Sequence, residues 1–328
     1  MTSSPKKVIV VLFISLVCAS LLALSFGESH INLITLFDNS KQSEIDLILF
    51  NIRLPRILAS LMGGGSLALA GLLLQTLTQN PLADSGILGI NAGAGLVIAS
   101  LLAFGKLEFA ISQSLLPSLT ILGSYATILL VYLLSYKPNH NINPNRLIIA
   151  GVGISTMMSS LIVTLVSYVD RYKIDYINNW LSGQITGDNW QSLLICSFPL
   201  IILWGLTYSQ YQALNIMNLN EYTATALGLN LKKQRLFILF LATSLAAISV
   251  ILVGNISFVG LIAGHSVKRQ LGNNHLLTIP TSLMVGMLIL LIADTLGRIF
   301  LVGMGIPTGL LVAIVGAPYF LYLMLKMD

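Results

Sequence analysis

Long apolar runs dominate this chain and decide what it can fold into. They fall at about residues 8–26, 54–75, 87–104, 115–135, 146–168, 192–210, 234–254, 258–272, 280–301 and 307–326. A helix needs about 20 mostly apolar residues to cross a bilayer. The third run is rich in glycine and the eighth is short, so about ten spanning helices are predicted. Hydrophobic residues make up 55% of the chain and charged residues only 9%, whereas an ordinary soluble domain is about a quarter charged. Seventeen basic and twelve acidic side chains cannot cover a soluble surface for 328 residues. Lipid accepts apolar side chains outward and removes that difficulty. The expected fold is all-α, a polytopic transmembrane helical bundle forming one domain over residues 1–328.

Charge placement supports this class over its rivals. A net charge of +5 could suggest nucleic acid, but the basic residues are scattered between apolar runs and form no patch. With the N-terminus placed inside and the runs alternating, ten of the seventeen lysines and arginines fall on the inner side. That bias predicts that both termini are cytoplasmic. Val8 to Phe26 follows Lys6 and Lys7, so a signal peptide must be weighed. The run is long for one and no small-x-small cleavage site follows, so it is read as the first span. Cys18 and Cys196 both sit in apolar runs and are read as packing residues.

The chain lacks the marks of covalent or metal chemistry. It has no Gly-x4-Gly-Lys-Ser/Thr loop, no Cys-x2-Cys pair, no His-Glu-x2-His helix and no Gly-x-Ser-x-Gly elbow. No catalytic residue, metal site or cofactor site is therefore expected in this chain. His30, His140, His265 and His275 lie near predicted membrane ends and read as interfacial polar residues. Asp294 is the clearest charge inside a run, and Arg298 lies four residues on, the spacing of a helical ion pair. So few intramembrane titratable groups argue against an ion-coupled carrier. Gly63 to Gly65, Gly93, Gly95, Gly151, Gly153, Gly303 and Gly305 suit close helix packing. The small-residue runs Gly63 to Ala70 and Gly151 to Ser160 are candidate linings of a pathway.

Five segments point further when taken together. Arg53-Leu54-Pro55-Arg56 opens the second run. Asn80-Pro81-Leu82-Ala83 follows it, with Gly86-Ile87-Leu88-Gly89 close behind. Trp180-Leu181-Ser182-Gly183 precedes Gly187 and Trp190. Gly254-Asn255-Ile256-Ser257-Phe258-Val259-Gly260-Leu261 leads into His265 and Lys268-Arg269. Pro307-Thr308-Gly309 leads to Gly316-Ala317-Pro318-Tyr319-Phe320. In order and spacing, from about Arg53 to Leu325, this pattern resembles the FecCD-type permeases of bacterial ABC importers for iron-siderophores, haem and cobalamin. One departure is Gly264 before His265, where the family commonly has proline. The helix start there is expected to change, because proline fixes φ and lacks a donor.

The resemblance implies a type II ABC importer permease in the bacterial cytoplasmic membrane. It implies a second permease subunit, two cytoplasmic ATPase subunits that hold ATP and Mg, and an extracytoplasmic binding protein. The implied cargo is a ferric siderophore, with haem or cobalamin as alternatives and an ion-coupled secondary transporter as the more distant one. The arginines matching the family's docking positions are Arg53, Arg56 and Arg298; their planar forks suit carboxylates on the binding protein. Snorkelling to lipid headgroups is the plainer reading. The inner stretch of about 211–234 reads as two short helices around a glycine. The resemblance makes it the ATPase coupling loop, with Glu221, Ala226, Leu227 and Gly228 at its core.

Overall fold

The computed structural model describes residues 5–26, 48–104, 115–138, 143–169, 171–185, 190–300 and 306–326. Among these, helix α1 spans Pro5–Ser25, and a π-helical turn over Ile48–Arg53 runs into α2, Leu54–Thr78. Then follow α3 (Ile90–Phe104), α4 (Leu115–Ser135), α5 (Pro144–Val166), α6 (Arg171–Leu181) and α7 (Trp190–Ser209). The short α8 (Tyr211–Met217) and α9 (Glu221–Ala226) lead to α10 (Leu231–Val253), α11 (Val259–Leu271), α12 (His275–Phe300) and α13 (Thr308–Leu325). His30, His140, Gly187, Gly303 and Gly305 lie outside the described residues.

Eight of these helices are long and apolar enough to cross a membrane. The other two predicted spans are α3 and α11, of 15 and 13 residues. At 1.5 Å per residue they reach roughly 20 Å, short of a hydrocarbon core of about 30 Å. Each follows a non-helical stretch, 79–89 before α3 and 254–258 before α11. The expected ten therefore resolve into eight helices of spanning length and two shorter ones. Helix α6 was not expected. Its sequence, RYKIDYINNWL, is amphipathic and never forms an apolar run.

Helix α2 is the axis of the bundle. Its apolar window is 83% buried, against 6% for α1. Val10, Val11, Phe13 and Ile14 of α1 are exposed on a face suited to lipid. Helix α2 packs against α10, α11 and α12, and glycine sets how closely. A side chain on Gly64 would meet the carbonyl of Gly286, and one on Gly71 would meet the backbone of Gly260. Without a hydrophobic drive between helices in lipid, such backbone approach supplies the association. This corrects one expectation. All eight residues from Gly63 to Ala70 are buried, so the run packs inside the bundle and is not open to a pathway.

Candidate functional site

The two breaks in the helices meet, and most of the sequence motifs meet with them. A break at membrane depth is tolerated only where protein satisfies the freed backbone groups. Here several of those groups have partners on other segments. The Asn255 N–H donates to the Trp180 carbonyl at 3.0 Å, and the Gly309 N–H donates to the Gly183 carbonyl at 3.0 Å. The Asn91 side-chain amide donates to the Ile256 carbonyl at 3.3 Å. The Phe258 N–H donates to Asp84 Oδ2 at 3.1 Å. Gly183 (φ +74°) and Gly254 (φ +74°) take backbone conformations that side chains rarely adopt. Four of the five motif segments thus close on the turn at residues 254–258.

Asp84 escaped the sequence reading. It is 5% exposed and sets a carboxylate at the N-terminus of α11, where the first N–H groups lack helical partners. The available signal was its place between Ala83 and Gly86, a lone carboxylate between two apolar runs. The expectation for Gly264 is also corrected. Helix α11 starts at Val259, so Gly264 lies one turn inside it and not at its start. A side chain there would meet the amide of Gln75, whose Nε2 donates to the carbonyls of Gly260 and Leu261, each at 3.3 Å.

At one end of α2 the three expected arginines gather. Pro55 stands in the first turn of α2, where a missing N–H costs nothing. Arg56 Nε donates to Asp294 Oδ1 at 2.9 Å, and its Nη2 lies 2.9 Å from the same oxygen. Arg298 Nε lies 3.2 Å from Asp294 Oδ2. Thr308 donates to Asp294 Oδ1 at 3.1 Å. Arg53 Nη1 donates to the carbonyls of Leu24 and Ser25, and Arg298 Nη2 to that of Ala23 at 3.4 Å. These are terminal carbonyls of α1, which have no helical donor. Arg53 is 3% exposed, while the side chains of Arg56 and Arg298 are 23% and 11% exposed. Sequence spacing pointed to Asp294 with Arg298; it held no sign of Arg56, 238 residues away.

At the other end of α2 lie the two short helices. They differ in layout from the expected pair around a glycine. Asn218–Asn220 separates α8 from α9, and Gly228 follows the second helix. Asn220 caps α9 by accepting from the Thr223 N–H at 2.8 Å. The Leu229 N–H donates to the Ala224 carbonyl at 3.1 Å and the Gly228 N–H to that of Thr225 at 2.9 Å. That pair of bonds, with Gly228 at φ +86°, is a Schellman ending. Asn230 then caps α10. Glu221 Oε1 pairs with Arg235 Nη1 at 2.8 Å, tying α9 to α10. Gln79, at the end of α2, donates to the Met217 carbonyl at 3.1 Å. Tyr222 and Leu227 are left exposed on the outer face of this element, at 90% and 59%.

Between the ends, α5 turns a stripe of hydroxyls outward. Thr156, Ser160 and Thr164 are exposed, and each donates to the carbonyl four residues back at 2.8–3.0 Å. Hydroxyls satisfied this way leave a weakly polar surface. Two adjoining cavities of about 300 and 330 Å³ open beside this helix and share Gly86, Ser155 and Ser257. Asp84, Phe258 and Leu261 line the first, so the broken-helix junction faces it. The run Gly151 to Ser160 therefore lies at a cavity. Of the remaining histidines, His265 sits edge-on to Tyr319. His275 is fully buried and hydrogen-bonded, which corrects its reading as an interfacial residue. Cys18 is exposed and Cys196 buried. No cluster of metal-ligating side chains is found among the described residues.

Comparison with known proteins fits this geometry. The model of the FecCD transport family matches residues 12–326. The iron(3+)-hydroxamate import permease FhuG of Bacillus subtilis is 35% identical over 99% of this chain and 98% of its own length. The Fe(3+) dicitrate permease FecD of Escherichia coli is 34% identical over 98% of this chain and 99% of its own. The hemin permease HmuU of Yersinia pestis is 31% identical over 98% and 96%. A solved structure of a metal-chelate type ABC transporter in an inward-facing conformation is similar with a TM-score of 0.84. It is 31% identical and covers 98% of this chain and 100% of that one.

Proposed function

The chain belongs to the FecCD transport family and is a transmembrane permease of an ABC importer, and from that premise we propose that its cargo is a ferric siderophore. The observation that carries the reading is end-to-end similarity to permeases named for iron chelates. The α5 face supports it. A large, variously decorated chelate needs weak contacts, since a tight site would trap it, and the hydroxyls there are already bonded to their own helix. Cavities of about 300 Å³ open on one side are at the small end for a ligand site. They fit half of a path, completed by a second permease subunit.

The partners follow from the same premise. Two ATPase subunits on the cytoplasmic side, holding ATP and Mg, would bear on α8 and α9 through Glu221, Ala226, Leu227 and Gly228. Tyr222 and Leu227 provide the apolar contact. An extracytoplasmic binding protein would dock at the arginine end. Arg56 is the most accessible of the three arginines there; Arg53 and Arg298 stand behind it and hold α1. Both termini then face the cytoplasm of a bacterial cell.

The test is uptake of iron-55 in a strain deleted for this gene and complemented with it. Iron presented as a hydroxamate siderophore should enter only with the gene and with cellular ATP. Uptake of iron-55 as haem or ferric citrate, or of cobalt-57-labelled cobalamin, with none of the hydroxamate, would replace the proposed cargo. Uptake driven by an ion gradient without ATP would overturn the ATP-driven mechanism.

A further inference from the structure

A one-way chain of hydrogen bonds joins the short helices to the broken helix. Asn215 of α8 accepts at Oδ1 from the backbone N–H of His275 at 2.8 Å. A carbonyl oxygen only accepts, so His275 Nδ1, 2.9 Å from the same Oδ1, carries a proton and donates. In the neutral ring Nε2 is then an acceptor, and the Thr76 hydroxyl lies 2.9 Å from it. Thr76 Oγ1 in turn accepts from Lys268 Nζ at 2.9 Å. The chain runs from α11 through α2 and α12 to α8. His275 and Thr76 are 0% and 1% exposed, so water does not compete for these bonds.

Thr76 has two positions for its single hydroxyl hydrogen. It donates to His275 Nε2, or to the Leu72 carbonyl, which is also 2.9 Å away. Turning the hydrogen to Leu72 keeps the Thr76 hydroxyl bonded but takes the donor from the buried His275 Nε2, so the position of this one hydrogen decides whether the chain is closed. Its ends are well placed. Asn215 sits in the element that we assign to ATPase contact. Lys268 sits in α11, and Phe258, the residue just before that helix, and Leu261 in its first turn line the cavity.

We propose that this chain transmits displacement of α8 and α9 to α11, with Thr76 and His275 as positioning residues for coupling. The inference rests on α8 and α9 being the ATPase contact. The test is hydrogen exchange by mass spectrometry on the assembled transporter in nanodiscs, with and without ATP. In the wild type, ATP should change exchange over both 211–228 and 254–264. Thr76→Val keeps the shape and removes the hydroxyl. The response should survive at 211–228 and be lost at 254–264. Thr76→Ser should restore it. Lys268→Met, which keeps the stem and removes the donor, should behave like Thr76→Val and serves if that variant does not assemble. A wild-type 211–228 segment blind to ATP would refute the coupling assignment itself. A response at 211–228 with none at 254–264 in the wild type, or with 254–264 responding equally in the variants, would refute the transmission.

Discussion

The two ends of α2 are held in different ways. At the Pro55 end, Asp294 sits between two guanidiniums, and Arg53 and Arg298 close the carbonyls of α1. At the Thr78 end, Gln79 reaches α8 and the turn after it by neutral amide bonds, Asn215 and Asn218 reach α12 and the turn before it, and Lys268 adds one charge-assisted bond to Thr76, with no carboxylate beside it. Charge-assisted bonds are roughly twice as strong as neutral ones, which contribute about 1 kcal/mol each. One helix of 25 residues is thus clamped at one end and lightly tied at the other. On the proposed assignment of the Thr78 end to ATPase contact, that asymmetry lets the contacted end yield while the other stays assembled. The helix can move at the lightly tied end without losing the clamp.

The largest effect that would break this comparison is at Asp294. Replacing it with Asn leaves two mostly buried arginines facing each other without their carboxylate. Removing one partner of a buried charge cluster costs about 3–5 kcal/mol. Thermal unfolding of the detergent-solubilised protein should show a fall in Tm of several degrees. An Asp294→Asn protein that melts with the wild type would mean that this end is not clamped by charge.

How much of this was legible in the sequence depends on distance along the chain. Helices that repeat an apolar pattern for 20 residues were visible, because lipid imposes that length. The glycine that ends a short helix in the inner stretch was visible too, because chain reversal is a local matter of a few residues. The shortened α3 and α11 read as weak spans, since hydropathy counts residues and does not see where a helix breaks. Asp84 and its bond to Phe258, and Arg56 with Asp294, join segments far apart in the chain. No spacing rule relates them. The resemblance placed the arginines at one end, and only the structure shows what they hold.

A middle-sized effect sharpens the lightly tied end. Gly228 has φ +86°, and an added side chain would meet nothing within 4 Å. Substitution there is therefore a conformational penalty, of about 1–2 kcal/mol for a residue with a side chain. Gly228→Glu should assemble and melt close to the wild type, yet hydrolyse ATP with much reduced uptake. Gly228→Asn should retain more uptake, since Asn tolerates the left-handed conformation better. Equal losses for the two would mean that the glycine matters for surface contact and not for chain reversal.

The smallest effects separate two ways of holding α9. Asn220→Ala removes a cap worth about 1 kcal/mol. Glu221→Gln weakens the pair with Arg235, and with Glu221 47% exposed that pair is expected to contribute under about 1 kcal/mol. Salt distinguishes the two. The Debye length falls from about 10 Å at 0.1 M to about 3 Å at 1 M, so a solvent-facing charge is screened while a cap bond is not. Hydrogen exchange over 221–227 should be faster in both variants at low salt. In 1 M salt the Glu221→Gln difference should shrink toward zero and the Asn220→Ala difference should persist. A charge effect that survives high salt would make Glu221 and Arg235 a clamp of the kind found at the opposite end, and the contrast between the two ends would then be one of degree.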